Sequence, residues 1–259
     1  GEHFSRLSYR TTYHLLKKPL LNVCTGHPRV AYLNKPTIYF YMISPELAEL
    51  AGLFAADGCM QKTQRGGYIC FWGNITEDRE YYDAAIAVLF QKEFGVRPRL
   101  HEKRSNSVYG FYCCTPSIIQ KFKDLNFQPG PKSHSVEIPL PILWGGDSII
   151  QAAFIRGFFD GDGSLTFYKR PGPTYSGFNQ THHVYPRIEI TSVSIKMIQQ
   201  LHVLLLRLGI FGTINSKFPK KGGPSWCIYV RGKTMLERWM SLIGTNNPAQ
   251  KSRYLLWKK

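Results

Sequence analysis

Two nine-residue segments of this chain answer each other: Leu50-Ala51-Gly52-Leu53-Phe54-Ala55-Ala56-Asp57-Gly58 and Ile155-Arg156-Gly157-Phe158-Phe159-Asp160-Gly161-Asp162-Gly163. Each is an apolar helical stretch with an internal glycine, and each ends in Asp-Gly. The last aspartates, Asp57 and Asp162, lie 105 positions apart. A feature repeated at domain-sized spacing predicts a pseudo-twofold protein, with one copy in each half. Each half then brings one carboxylate to the shared axis.

Charge narrows what such a centre does. The 259 residues carry 33 Lys and Arg against 17 Asp and Glu, a formal charge of +16. This balance predicts attraction to a polyanion, and paired central carboxylates on a basic chain point to metal-dependent chemistry on nucleic acid. A hydrophobic fraction of 43% suffices for real cores, and 14% aromatic residues argue against a disordered basic tail. No stretch approaches the roughly 18 apolar residues of a membrane span. The run Leu15-Leu16-Lys17-Lys18-Pro19-Leu20-Leu21 is broken by two lysines and a proline, so no signal peptide is expected. The cysteines at 24, 59, 70, 113, 114 and 227 form no C-x-x-C pair, which predicts reduced thiols in an intracellular protein.

Residues 1–43 hold no sharp motif. At 44 a helix starts cleanly: Ser44 suits the N-cap, Pro45 the first turn, and Glu46 the helix dipole. Leu47, Leu50, Ala51 and Phe54 then fall on one apolar face. Strands are expected near 59–65, 68–75, 97–104 and 108–114, with helices at 77–94 and 116–125. Prolines 129, 131, 139 and 141 mark 126–146 as a linker. The second half repeats the order: a motif helix at 147–161, strands at 164–170, 184–192, 211–218 and 225–231, and helices at 194–208 and 233–243. Gly209 answers Gly95. A basic segment, 244–259, closes the chain and is expected to be helical from 247. The domains expected are therefore 1–43, 44–125, 126–146, 147–243 and 244–259.

The motif, its doubling and the α-β-β-α-β-β-α order resemble the LAGLIDADG homing endonucleases in their single-chain, two-repeat form, with archaeal intron-encoded members as the nearest type. The first copy matches the family name at seven of nine letters. The second keeps the glycine at motif position three and the terminal Asp-Gly. Position 1 lacks the nucleophile expected of an intein, so an intron-encoded form is expected. The resemblance implies an α+β fold of two saddle-shaped αββαββα halves joined through packed motif helices.

It also implies a reaction. Cutting a phosphodiester needs an aligned water, neutralised developing charge and help for the leaving oxygen. Mg²⁺ provides these through oxygen ligands and usually takes one or two protein carboxylates. Asp57 and Asp162 fit that demand. The resemblance adds the carbonyls of Ala56 and Gly161 as ligands, with Mn²⁺ or Ca²⁺ substituting in binding. Asp160 faces Ala55 in the other copy and is read as a packing or capping residue. The resemblance places basic side chains around the catalytic water; the best matches are Lys196 and Lys233, for which an exposed surface position is the alternative reading. An EF-hand at Asp160-x-Asp162 is excluded by Leu165 and Pro171 at its key positions.

Period-two alternation supplies candidates for DNA reading. These are Gln61, Thr63 and Arg65 after the first motif, and Arg97, Arg99, His101 and Lys103 on the next pair. In the second half they are Ser164, Thr166, Tyr168 and Arg170, then Tyr185, Arg187, Glu189 and Thr191, and finally Tyr229 and Arg231. Lys217, Lys220, Lys221 and the tail cations Lys251, Arg253, Lys258 and Lys259 suit phosphate contacts. The pair His182-His183 lacks a third ligand and is given no metal. The expected protein is a monomeric, site-specific endonuclease of double-stranded DNA with a long non-palindromic target and short 3′ overhangs. Two alternatives share the fold: an RNA maturase acting on its host intron RNA, and a regulator that binds DNA without cutting it.

Overall fold

The computed structural model describes residues 43–64, 66–169, 184–218 and 223–258, and for 168, 169 and 184 the backbone alone. Helix α1 (Pro45–Ala56) begins where its caps dictate: Ser44 Oγ accepts the Leu47 N–H at 3.0 Å, and Pro45 opens the first turn. It leads into β1 (Gly58–Thr63) and β2 (Gly66–Asn74). Helix α2 (Arg79–Tyr81) continues through a π-helical turn, Tyr82–Ile86, into α3 (Ala87–Phe94). Gly95 ends α3 in the left-handed region at φ 70°, which explains its place in the sequence pattern. Strands β3 (His101–Lys103) and β4 (Val108–Cys113) and helix α4 (Pro116–Asp124) complete the half. Its antiparallel sheet runs β1-β2-β4-β3.

The second half repeats this plan. Helix α6 (Ser148–Asp162) precedes β5 (Gly163–Lys169), β6 (Val184–Ser192), α7 (Ile195–Arg207), β7 (Gly212–Lys217), β8 (Ser225–Arg231) and α8 (Lys233–Leu242). Its antiparallel sheet runs β5-β6-β8-β7, the same order shifted by four strands. Helix α9 (Pro248–Lys258) follows. The fold class is α+β, two antiparallel sheets backed by helices in two pseudo-repeated halves. Among the described residues no helix is long and apolar enough to cross a membrane.

Each sheet buries one face, as alternation predicts. In the first half the core is aromatic: Phe54 packs on Phe71, Phe122 and Phe127 with ring centroids 4.8–5.5 Å apart. In the second it is largely aliphatic, with Ile188, Ile190, Leu201, Leu204 and Leu205 buried. Between the halves α1 meets α6. A Cβ on Gly52 would fall 2.1 Å from the Phe154 carbonyl oxygen, and one on Gly157 would fall 1.9 Å from that of Glu49. Only glycine permits backbones this close.

Two expectations change. The proline-rich 126–146 stretch is not a loose connector: it contains a short helix, α5 (Leu140–Trp144), and buries Phe127, Val136, Ile138, Ile142 and Leu143. Ser194 Oγ donates to the Val136 carbonyl at 2.7 Å, and Ile138 N–H donates to Gln200 Oε1 at 2.7 Å, fastening the stretch to α7. The strand expected over 97–104 is confined to His101–Lys103 and gives way to a 3₁₀ turn, Arg104–Asn106. Pro98 has no N–H to give a ladder, so the alternating arginines beside it do not form a strand.

Candidate functional site

Both motif helices end at the same place. Asp57 caps α1, its N–H bonded to the Leu53 carbonyl at 2.9 Å, and Asp162 is the last residue of α6. The closeness of the two ends is recorded at Gly161, where a Cβ would meet Asp57 Oδ2 at 2.9 Å and the Ala56 Cβ at 2.8 Å. Helix C-termini carry partial negative charge and unpaired carbonyls. Two such ends and two carboxylates therefore concentrate negative potential at one point.

The carboxyls register that concentration. Burial pushes Asp57 up to about 7, with repulsion from Asp162 and Asp78 adding to it and Lys132 working against it. Burial also raises Asp162, again opposed by Lys132. Asp162 is nonetheless exposed and Asp57 half-buried, so the pair stays open to solvent on one side. Among the described residues no three His, Cys, Asp or Glu side chains gather to hold a metal. A cation here would rest on two carboxylates and backbone carbonyls, a hard oxygen set suited to Mg²⁺.

No sequence pattern marks Lys132. It comes from the supposed linker, and its Nζ donates to the carbonyls of Ala55 at 2.7 Å and Ala56 at 3.1 Å. Burial lowers its pKa, while Asp162 and Asp57 hold its charge in place. Lys196 instead pairs with Glu137 at 2.7 Å, and Lys233 stands 4.0 Å from Glu237; both lysines are exposed. They open α7 and α8.

Behind the pair lies a buried polar network. Glu49 of α1 accepts from Arg156 of α6 at 2.6 and 2.9 Å, and Arg156 also donates to the Ile243 carbonyl at 2.8 Å. Asp160 accepts from Thr245 Oγ1 at 2.5 Å and from the Asn246 N–H at 2.7 Å. Burial pushes its carboxyl up to about 7, with those two hydrogen bonds opposing the shift. Asp160 thus caps the 243–247 turn rather than facing Asp57.

These carboxyls make the stability of the metal-free protein depend on pH. A raised carboxyl keeps its proton in the folded state where the unfolded chain has released it, so stability falls as pH rises from the ordinary range near 4 to about 7. In urea titrations at pH 5 and pH 8, the stability of Asp57→Asn relative to the wild type should be greater at pH 8 than at pH 5. An equal difference at both values would contradict the burial of this carboxyl.

The DNA-reading candidates divide. Gln61 and Thr63 are exposed on β1, opposite the buried face of Met60. Arg65 and Arg170 lie outside the described residues, as do Lys220, Lys221, Lys259 and the pair His182-His183, and Tyr168 is described by its backbone only. Arg97 and Arg99 are exposed but precede β3. His101 packs edge-on to Trp72 and Tyr112, at 5.1 and 5.6 Å, and Lys103 is exposed. The second sheet assembles a tighter set. Register aligns Ser164, Glu189 and Tyr229 across three strands, and beside them Thr166, Arg187 and Arg231. Arg187 and Arg231 lie over the Tyr229 ring at 5.0 and 4.7 Å, while Glu189 pairs with Lys217 and with Arg187 at 3.4 Å. Tyr185 and Thr191 share this face of β6, alternating with buried Pro186, Ile188 and Ile190.

Comparison with known proteins follows the same lines. No curated protein matches the chain. Solved structures do. The crystal structure of I-DmoI in complex with DNA and Ca aligns at TM-score 0.54 and 14% identity, covering 81% of this chain and 96% of that one. I-DmoI in complex with DNA and Mn aligns at 0.52 and 15%, covering 77% and 96%. The K262A mutant of I-SmaMI aligns at 0.51 and 13%, covering 81% and 88%. The fold is that of these homing endonucleases. The LAGLIDADG-like domain model matches residues 44–125 and again 150–244. Two matches that span most of the chain, each containing one Asp-Gly helix end, establish that this protein belongs to the LAGLIDADG-like family.

Proposed function

We propose that this protein is a divalent-metal-dependent endonuclease of double-stranded DNA that cuts both strands at a long, non-palindromic site. The observation that carries the reading is the meeting of Asp57 and Asp162 at two helix C-termini, both carboxyls raised and Asp57 further raised by Asp162, within a chain of charge +16. Such a pair is costly without a cation and useful with one. The I-DmoI structures with DNA and Ca or Mn support the same reading for this chain.

Asp57 and Asp162, with the carbonyls of Ala56 and Gly161, would hold Mg²⁺, which supplies charge to the scissile phosphate and makes its bound water more acidic. The chain's own groups do the rest. The carboxylates orient water by accepting its hydrogen bonds. Lys132, fixed by the Ala55 and Ala56 carbonyls, places an ammonium where negative charge develops during attack. The two sheets read different half-sites: Gln61, Thr63, His101 and Lys103 on the first, and Ser164, Thr166, Arg187, Glu189, Tyr229 and Arg231 on the second, with Lys217 set against Glu189 as a further contact. Cuts across the minor groove leave short 3′ overhangs.

Because the halves differ, with Ala55 against Asp160 and Pro116 against Lys233, a single chain suffices and its target lacks twofold symmetry. Lys132→Met keeps the length and removes the charge. Single-turnover cleavage should fall roughly a hundred-fold, the scale for losing one transition-state donor, while DNA affinity falls much less. An unchanged rate would remove Lys132 from the chemistry. The function itself is tested by incubating the full chain with Mg²⁺ and a randomised duplex library. Double-strand cuts at one asymmetric sequence, abolished by chelation, are expected. Tight selection of a sequence with no strand broken would instead indicate a binding protein.

A further inference from the structure

Cys59 and Cys70 stand directly opposite each other in the β1–β2 ladder, with their sulfurs 2.6 Å apart. Cys59 is partly accessible and Cys70 is buried. Nothing in the proposed nuclease chemistry uses either thiol. A disulfide bond is about 2.05 Å long, so the sulfurs need approach by only roughly half an ångström. Directly opposed residues on antiparallel strands have Cβ atoms about 4.5–5.5 Å apart, and the lower end of that range overlaps disulfide geometry. We propose that Cys59 and Cys70 form a dithiol modification site, closed reversibly to a cross-strand disulfide by low-molecular-weight disulfides.

The accessibility difference sets the order of steps. The Cys59 sulfur, as thiolate, attacks the incoming disulfide; its S–S bond breaks and one small thiolate leaves. A mixed disulfide remains on Cys59. The Cys70 sulfur then attacks Cys59 Sγ, forming the internal bond and expelling the second small thiolate, which takes up the Cys70 proton. Two protein thiols are oxidised, one external disulfide is reduced, and two small thiols are released. The closed pair ties β1, two residues after Asp57 and two before Gln61, covalently to β2. This inference is independent of the nuclease reading.

The test uses the full, reduced chain incubated with glutathione disulfide, then alkylated, digested and mapped by mass spectrometry. The expected product is a peptide linking Cys59 to Cys70, with both thiols restored by dithiothreitol. Cys70→Ser should stop at the first step and carry glutathione on Cys59. Free alkylated thiols at both positions, a persistent glutathione adduct on Cys59 in the wild type, or a link joining a different pair would each overturn the proposal.

Discussion

Asp57→Asn, and separately Asp162→Asn, should slow double-strand cleavage at least about a hundred-fold and leave DNA affinity nearly unchanged. Metal-borne stabilisation of a transferring phosphate is worth several kcal/mol, and each 1.4 kcal/mol is a factor of ten. Either substitution removes a charged ligand without altering side-chain size. Affinity should survive because, on the proposed reading, it would rest on contacts to phosphates and bases made by the two sheets. Burial pushes the Asp57 carboxyl up to about 7, so a neutral amide is tolerated there and each variant should stay folded. Single-turnover cleavage and equilibrium binding on the same duplex separate the two effects. Undiminished cutting of both strands by either variant would show that the carboxylate pair is not the reaction centre.

Gly157→Ala should cost the fold at least about 3 kcal/mol, the upper range for overpacking a core. The new Cβ would sit 1.9 Å from the Glu49 carbonyl oxygen and 3.0 Å from the Leu53 nitrogen. Both are backbone atoms and cannot rotate away, so α1 and α6 must separate by about an ångström or more. Phe154, Phe158, Leu50 and Leu53, all buried, lose contact together. The melting temperature should fall by roughly 6–12 °C at this chain length. Gly223→Ala is the control, since a Cβ there meets nothing within 4 Å. Equal melting of the two variants would contradict the close helix crossing.

What could be read from the sequence was what rests on local chemistry. Ser44 and Pro45 announce the start of α1, Gly95 and Gly209 mark equivalent ends, and the paired Asp-Gly steps locate the axis. Alternation along β6 separates the polar face from the buried face because successive side chains point to opposite sides of a strand. Asp160 was legible as a capping residue because its counterpart is Ala55. Lys132 was hidden because nothing near it in sequence marks it: its partners, the Ala55 and Ala56 carbonyls, lie more than seventy positions away. The Glu49–Arg156 pair was invisible for the same reason, with its members separated by 107 positions. The burial of 126–146 did leave a trace, in Val136, Ile138, Ile142 and Leu143 set among the prolines. The prolines mask that pattern. At 97–104 the reverse holds: the alternating arginines mask the break at Pro98.

The most direct measurement is anomalous scattering from Mn²⁺ in crystals of the full chain bound to its DNA target. The peak is expected between Asp57 and Asp162, within ligand distance of both carboxylates and of the DNA backbone, and weakened in Asp57→Asn. Bound DNA with no manganese at this position, or manganese held only by side chains elsewhere, would contradict a shared carboxylate centre.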